Sequence, residues 1–320
     1  MQDEIHEVIA KTRAVLNVNI NEKNNCIAFN WNKEGKWDVY IYSLSSKLLS
    51  RITTGKDSYL EPFLSHNGKS ILYLMDHEGD ENYQVILRDL STNEEKNLTN
   101  DSSHYYNSPK FSLNDEKIAM LSNKEGKPSQ LYLFENGVIK ELTGWSDPIF
   151  SFDWLSNDEI LYVKGIYDTE IRLFNLNNYT DVILLKFEKS ETFLGGVDIG
   201  RRKFLFTSNS DEYFDVGEYD VDKRSWRWIY KSKHEKFLPK YAGNSITFIE
   251  FEDGKNILKR LCSGLSSVAE GVSEYEIMGK QLVYVKNTSY KPNSLFLGEL
   301  ELIDNTPECL KGELINAEST

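Results

Sequence analysis

An ordered set of short segments recurs along the chain. A sequence built on a fixed repeat folds as an array of like units, each unable to bury its apolar surface without its neighbours. The stretch EPFLSHNGKSILYLMDHEGDENYQVILRDLSTNEEKNLTN, beginning at Glu61, reads as a strand, a tight turn, a strongly apolar strand, a polar loop, a third strand and a last strand ending in Leu98 and Thr99. From Ser108, SPKFSLNDEKIAMLSNKEGKPSQLYLFENGVIKELTG repeats that order and closes on Leu142 and Thr143, as an earlier repeat closes on Ile52 and Thr53. The string NKEGK at Asn32–Lys36 returns unchanged at Asn123–Lys127, at the same point of its repeat.

Aligning the repeats on the first apolar residue after the first turn gives Ile27, Ile71, Ile118, Ile160, Phe204, Ile246 and Leu282, at intervals of 44, 47, 42, 44, 42 and 36 residues. Four-stranded propeller blades recur every ~40–50 residues, in rings of about four to eight. The segments SILYLM, IAML, ILYV, FLFT, ITFI and LVYV that carry or adjoin these anchors are apolar on both faces, as a strand packed between two neighbouring sheets must be. Two β-sandwiches would explain the strands but not their order, and a β-helix needs a shorter period. The expected fold is therefore all-β, a seven-bladed propeller of four-stranded antiparallel blades. It forms one domain over 1–320, with blades near 14–58, 59–104, 105–147, 148–188, 189–233, 234–271 and 272–310, and a linker or tail at 311–320. A short N-terminal helix capped by Asp3, with Ile5, Val8 and Ile9 on one face, precedes an opening strand that sets Ala14, Leu16, Val18 and Ile20 on one side. The pattern leaves open whether a strand from the opposite terminus laces the ring shut.

Among 320 residues, 37 Lys and Arg stand against 50 Asp and Glu, a net charge of −13 with no basic cluster, which argues against a nucleic-acid partner. No apolar run approaches the ~20 residues that cross a bilayer, and the opening MQDEIHEVIAK is charged where a secretory leader needs an apolar stretch. Both features point to a cytoplasmic protein without a membrane partner. Cys26, Cys262 and Cys309 are odd in number and far apart, and read as buried free thiols rather than a disulfide frame or a zinc site.

The chain carries no G-x-S-x-G elbow, H-E-x-x-H pair, phosphate-binding G-x-x-x-x-G-K-[ST] or G-x-G-x-x-G, so neither a catalytic residue, a metal site nor a cofactor is expected. The acidic string DHEGDEN, Asp76–Asn82, lacks the residue order of a calcium loop and reads as a solvated hairpin. His66 falls in a turn. His104, just ahead of an inner strand, is the one weak candidate for a residue facing the central channel. Trp145, Trp154, Trp226 and Trp228 are expected to pack between blades.

The pattern P-x-x-S-x-(N/D)-(G/E)-K-x-I, carried best by Pro62–Ile71 and Pro109–Ile118 and followed by a terminal Leu-Thr, resembles the propeller repeats of the prolyl-oligopeptidase (S9-type) serine peptidases and of TolB-like proteins. Asn21–Ile27 and Leu155–Ile160 lack the proline. The final SYKPNSLFLGELELIDNTPECLKGELINAEST looks like the last blade and the start of the interdomain linker of those peptidases. The resemblance implies a propeller that gates peptide substrates for an α/β-hydrolase domain, in cis or in trans, whose Ser, Asp and His have no counterpart among these residues. The double-glutamate motif of dipeptidyl-peptidase relatives has no secure match, since Glu94-Glu95 lies in an outer turn. The alternative is a free-standing TolB- or WD-like propeller that serves as a protein-interaction scaffold.

Overall fold

The computed structural model describes residues 12–101, 103–124, 126–288 and 291–307. Over these residues the chain forms seven four-stranded antiparallel sheets, spanning 15–51, 58–97, 104–141, 149–186, 192–230, 235–270 and 272–303, which are blades 1 to 7. Each blade uses four consecutive strands in the order inner, second, third and outer. Every anchor read from the repeat lies on the second strand of a blade. No helix occurs among the described residues; the helix expected around Asp3, Ile5, Val8 and Ile9, the tail at 311–320 and Cys309 lie outside them.

The sheets adhere through the faces of their apolar strands. Leu72, Leu74 and Val85 of blade 2 share one core with Tyr106, Phe111, Ile118 and Met120 of blade 3, and Ala119, Leu121 and Leu131 of blade 3 share another with Phe152, Trp154 and Tyr162 of blade 4. Because adjacent residues of the second strand point to opposite faces, both faces must be apolar for a blade to bury itself on both sides. The junction of blades 5 and 6 adds a buried ion pair. The enclosed Lys236 places Nζ 2.7 Å from Asp215 Oδ1 and donates to the Ser232 carbonyl at 2.9 Å.

The motif residues of the repeat now have physical roles. Ser65 Oγ accepts from the Ser70 amide at 2.9 Å and donates to Asn67 Oδ1, and Ser112 does the same with the Lys117 amide and Asn114, so the serine and asparagine close the first hairpin. The threonine that ends a repeat fastens the outer end of the blade to the third strand. Thr53 Oγ1 accepts from the Val39 amide and donates to Asp38; Thr99 joins Val85 to Gln84, and Thr143 joins Leu131 to Gln130, all at 2.7–3.1 Å.

No strand from either end crosses into the other end's sheet among the described residues, so the ring closes by packing. Val15, Val18, Phe29 and Trp31 of blade 1 form one core with Met278, Val283, Val285, Leu295 and Ile303 of blade 7, and Trp31 Nε1 donates to Asn305 Oδ1 at 2.9 Å. The inner strand of blade 1, Val15–Asn21, departs from the expected alternation. Its buried positions are Val15, Val18 and Asn21, because a bulge between Leu16 and Asn19, with Asn17 at φ 56°, shifts the strand by one residue. Ala14, Leu16, Val18 and Ile20 therefore do not share a face. A second expectation also fails: Cys26 is buried as foreseen, but Cys262 is exposed at the turn after the third strand of blade 6.

Thr99→Val and Thr143→Val each strand a buried amide, so each should lower the unfolding free energy by about 1–2 kcal/mol in denaturant titrations. Asp215→Ala leaves Lys236 charged and enclosed, and the same measurement should show a larger loss, about 3–5 kcal/mol.

Candidate functional site: the central channel

The inner strands surround a central cavity of about 620 Å³, to which all seven blades contribute. They do so with a shared distortion. In every blade the pairing of the inner with the second strand skips register at least once. In blades 1, 2, 3 and 6 the skipped residue is left-handed: Asn17, Glu61, Ser108 and Leu238, with φ between 49° and 56°. A bulge leaves one residue out of the ladder and turns its neighbours toward the axis. Proline, which has no amide hydrogen to lose, follows three of them as Pro62, Pro109 and Pro239. In blade 5 the position is Gly195-Gly196, where a Cβ on Gly195 would lie 2.6 Å from Pro239 Cγ and 2.8 Å from its carbonyl oxygen. The backbones of blades 5 and 6 approach that closely only because the side chain is missing.

The polar groups along the channel are tied from blade to blade. Glu61 Oε2 accepts from the amide of Ser108, the bulge residue of the next blade, at 2.6 Å, and Glu274 Oε2 accepts from the Val18 amide across the ring closure at 3.3 Å. Asn30 Oδ1 takes the Asn17 side-chain amide at 3.0 Å and the Glu61 backbone amide at 2.9 Å. Lys110 Nζ binds the Phe152 carbonyl and Asp153 of blade 4, Lys240 pairs with Glu276 of blade 7 at 2.5 Å, and the Tyr275 hydroxyl donates to the Leu238 carbonyl. Glu61, Asp153, Glu274 and Glu276 outnumber Lys110 and Lys240 in the lining, which gives the channel an acidic excess. Burial pushes the Glu61 carboxyl upward, and it pushes Glu274 up to about 7, against the pull of the Val18 and Asn17 amides and of Lys240, with Glu276 adding to the rise.

Among the described residues the cavity lining offers carboxylates, ammonium groups and backbone amides. No histidine or cysteine lines the cavity among the described residues, and no group of three or more His, Cys, Asp or Glu stands close enough to hold a metal ion. His104 begins the inner strand of blade 3 but is not among the lining residues. Its Nδ1 lies 2.7 Å from Asp101 Oδ2, and its ring rests on Tyr106 and Tyr132. His66 contacts Asp115 of the next hairpin at 3.0 Å, and Glu95 pairs with Arg88 at the outer edge of blade 2. Trp154 is buried, with Nε1 on the Lys110 carbonyl; Trp226 meets Phe187 and Phe206 edge-on and Trp228 stacks on Phe187; and Trp145 donates to the Tyr162 hydroxyl. Sequence reasoning missed Glu61, Glu274, Lys110 and Lys240. For Glu61 and Lys110 the available signal was positional: a charged residue just before or after the motif proline.

Glu274 titrates about 7 when folded and near the ordinary glutamate value when unfolded, so the folded chain binds the extra proton between those limits. Its contribution to stability is complete at acid pH and is lost as the pH rises through about 7. Glu274→Gln should flatten that part of the pH–stability curve and, at pH 8, stabilise the protein by at most about 3 kcal/mol. Thermal melts from pH 4 to 8 would measure it.

No protein-family model matches the sequence, and no curated protein matches it. Solved structures do. The chain is similar to the β-propeller domain of the trilobed protease of Pyrococcus furiosus, at 16% identity and a TM-score of 0.72 over 93% of this chain and 100% of that one. It is similar to a prolyl endopeptidase at 11% identity and a TM-score of 0.74, covering 93% of this chain and 50% of the other, so it spans about half that enzyme's length. An oligogalacturonate lyase, solved in complex with manganese, matches at 13% identity and a TM-score of 0.72 over 93% of this chain and 92% of that chain. At these identities the likeness establishes the fold alone, a seven-bladed propeller shared with these peptidase propellers and with the lyase.

Proposed function

We propose that the chain is the propeller of a prolyl-oligopeptidase-like serine peptidase, which selects peptide substrates for an α/β-hydrolase domain carried in cis or in trans. The observation that carries this reading is the channel: all seven blades line it, and its charged groups are tied between neighbouring blades. Such a cavity acts through size and charge. Its acidic excess favours cationic or neutral peptides over acidic ones, and its bulged, cross-tied walls exclude a folded chain. The repeat motif at Pro62 and Pro109 and the peptidase propellers of matching shape support the same reading. The odd, dispersed cysteines suit a reducing, cytoplasmic setting. A second reading is a free-standing TolB- or WD-like interaction propeller; the lyase match, which covers 92% of the other chain, supports its free-standing part and not its scaffold role.

Affinity purification of the natural gene product from its source, followed by assay with short chromogenic peptides and with a folded protein substrate, tests the proposal. Recovery of an α/β-hydrolase domain that cleaves the short peptides and spares the folded protein is the expected result. Stable complexes with no hydrolase and no peptidase activity would overturn it in favour of the scaffold reading.

A further inference from the structure

The seven junctions between blades are not alike. Six bury an apolar cluster of their own, those of blades 7 and 1, 1 and 2, 2 and 3, 3 and 4, 4 and 5, and 6 and 7. At the junction of blades 5 and 6 no comparable cluster forms among the described residues. Phe204 and Phe206 of blade 5 turn toward blade 4, so Leu205 and Thr207 turn the other way, in register with Glu218 and Val216. Leu205, Val216 and, from blade 6, Phe248 are fully enclosed, and the Tyr230 ring of blade 5 lies 5.0 Å from that of Phe248. Charged groups fill the ground around these few apolar side chains.

Of the nine charged residues that are buried among the described ones, five stand at this junction: Asp215 and Glu218 of blade 5, and Lys236, Glu250 and Lys259 of blade 6. Most of their bonds stay within one blade or in the linker of residues 231–234. Glu250 pairs with Lys259 at 2.8 Å and accepts from the Ser232 hydroxyl, and Glu218 Oε2 takes Lys203 and Arg227, both at 3.1 Å. The bonds that cross between the two sheets are Lys236 to Asp215 at 2.7 Å, and the hydroxyls of Tyr241 to Glu218 at 3.3 Å and of Tyr230 to Glu250 at 3.5 Å. At the inner end Gly195 and Gly196 meet Pro239 and Lys240 with no side chain from blade 5 to interlock.

We propose that the junction of blades 5 and 6 is the seam at which the ring opens, in preference to the junction of blades 7 and 1. Connectivity alone favours the latter, because residues 231–234 join blade 5 to blade 6 whereas blades 7 and 1 are held by packing. The energetics favour the former. Exposing an apolar cluster costs free energy in proportion to its area, whereas charges returned to water regain a hydration that offsets much of the attraction they lose. Ion pairs internal to each blade survive the parting, and the linker acts as its hinge. Gly195, Gly196, Pro239 and Lys240 line the cavity, so a parting here opens the channel from the side. The inference holds whether the propeller serves a hydrolase or acts as a scaffold.

Thiol labelling under native conditions tests it, since a buried cysteine reacts only through openings that uncover it. In the natural gene product, Val216→Cys and Thr207→Cys probe the junction of blades 5 and 6, Val85→Cys that of blades 2 and 3, and Val285→Cys that of blades 7 and 1; all four positions are at most 2% exposed. Mass spectrometry after pulses of N-ethylmaleimide reads each site separately. The buried Cys26, at the junction of blades 1 and 2, serves as an internal reference, and the exposed Cys262 gives the unhindered rate. Denaturant titrations of each variant give the labelling rate that global unfolding alone would produce. The expected result is labelling at positions 216 and 207 at least tenfold faster than at 85, 285 and Cys26, and faster than global unfolding allows. Replacing the crossing pair by apolar side chains, Asp215→Leu with Lys236→Met, should slow labelling at position 216 threefold or more. Equal rates at all buried sites, or the fastest labelling at position 285, would overturn the seam. An unchanged rate in the double variant would overturn the part assigned to the ion pair.

Discussion

The packing of one apolar sheet face on the next holds this structure together. A four-stranded sheet of about forty residues has too little interior to be stable alone, and its second strand, apolar on both sides, cannot meet water on either. Ile71 and Tyr73 of blade 2 turn toward blade 1, whereas Leu72 and Leu74 turn toward blade 3. That division repeats around the ring and makes each blade depend on both neighbours. Closure follows from the same requirement. Blade 7 and blade 1 bury Val283, Val285, Val15 and Val18 together as any other pair of blades would, and no strand is shared between them among the described residues.

Polar chemistry takes the positions that packing leaves over. At the inner edge, where blades converge, bulges remove ladder pairings, and the amides they release are taken up by carboxylates of the preceding blade, as Glu61 serves Ser108 and Glu274 serves Val18. The channel charges are thus part of the blade-to-blade joinery as well as of the cavity wall. This explains why burial raises the Glu61 and Glu274 carboxyls although each accepts backbone amides. At the outer edge the repeating threonines hold the last strand through a hydroxyl that both accepts and donates.

Much of the fold was legible in the sequence because the features that build it are local. The seven anchors from Ile27 to Leu282 mark second strands, whose apolar character depends on a few consecutive residues. The serine, asparagine and threonine of the repeat act within a turn or between strands of one blade. The proline of the motif was visible, but its meaning was not. A bulge is defined by pairing with another strand, so neither the left-handed Asn17 nor the Gly195-Gly196 approach to Pro239 could be read from the order of residues. The failed alternation of Ala14, Leu16, Val18 and Ile20 has the same origin.

The candidate site was largely hidden for a related reason. Glu61, Lys110, Lys240 and Glu274 are separated by tens to hundreds of residues and match no short motif; they meet because seven inner strands converge on one axis. By itself the sequence determined the repeat, the strand pattern and the turn chemistry, since each depends on neighbours within one blade. Tertiary structure alone decided how the ring closes and which carboxylates are buried, because those outcomes depend on contacts between blades.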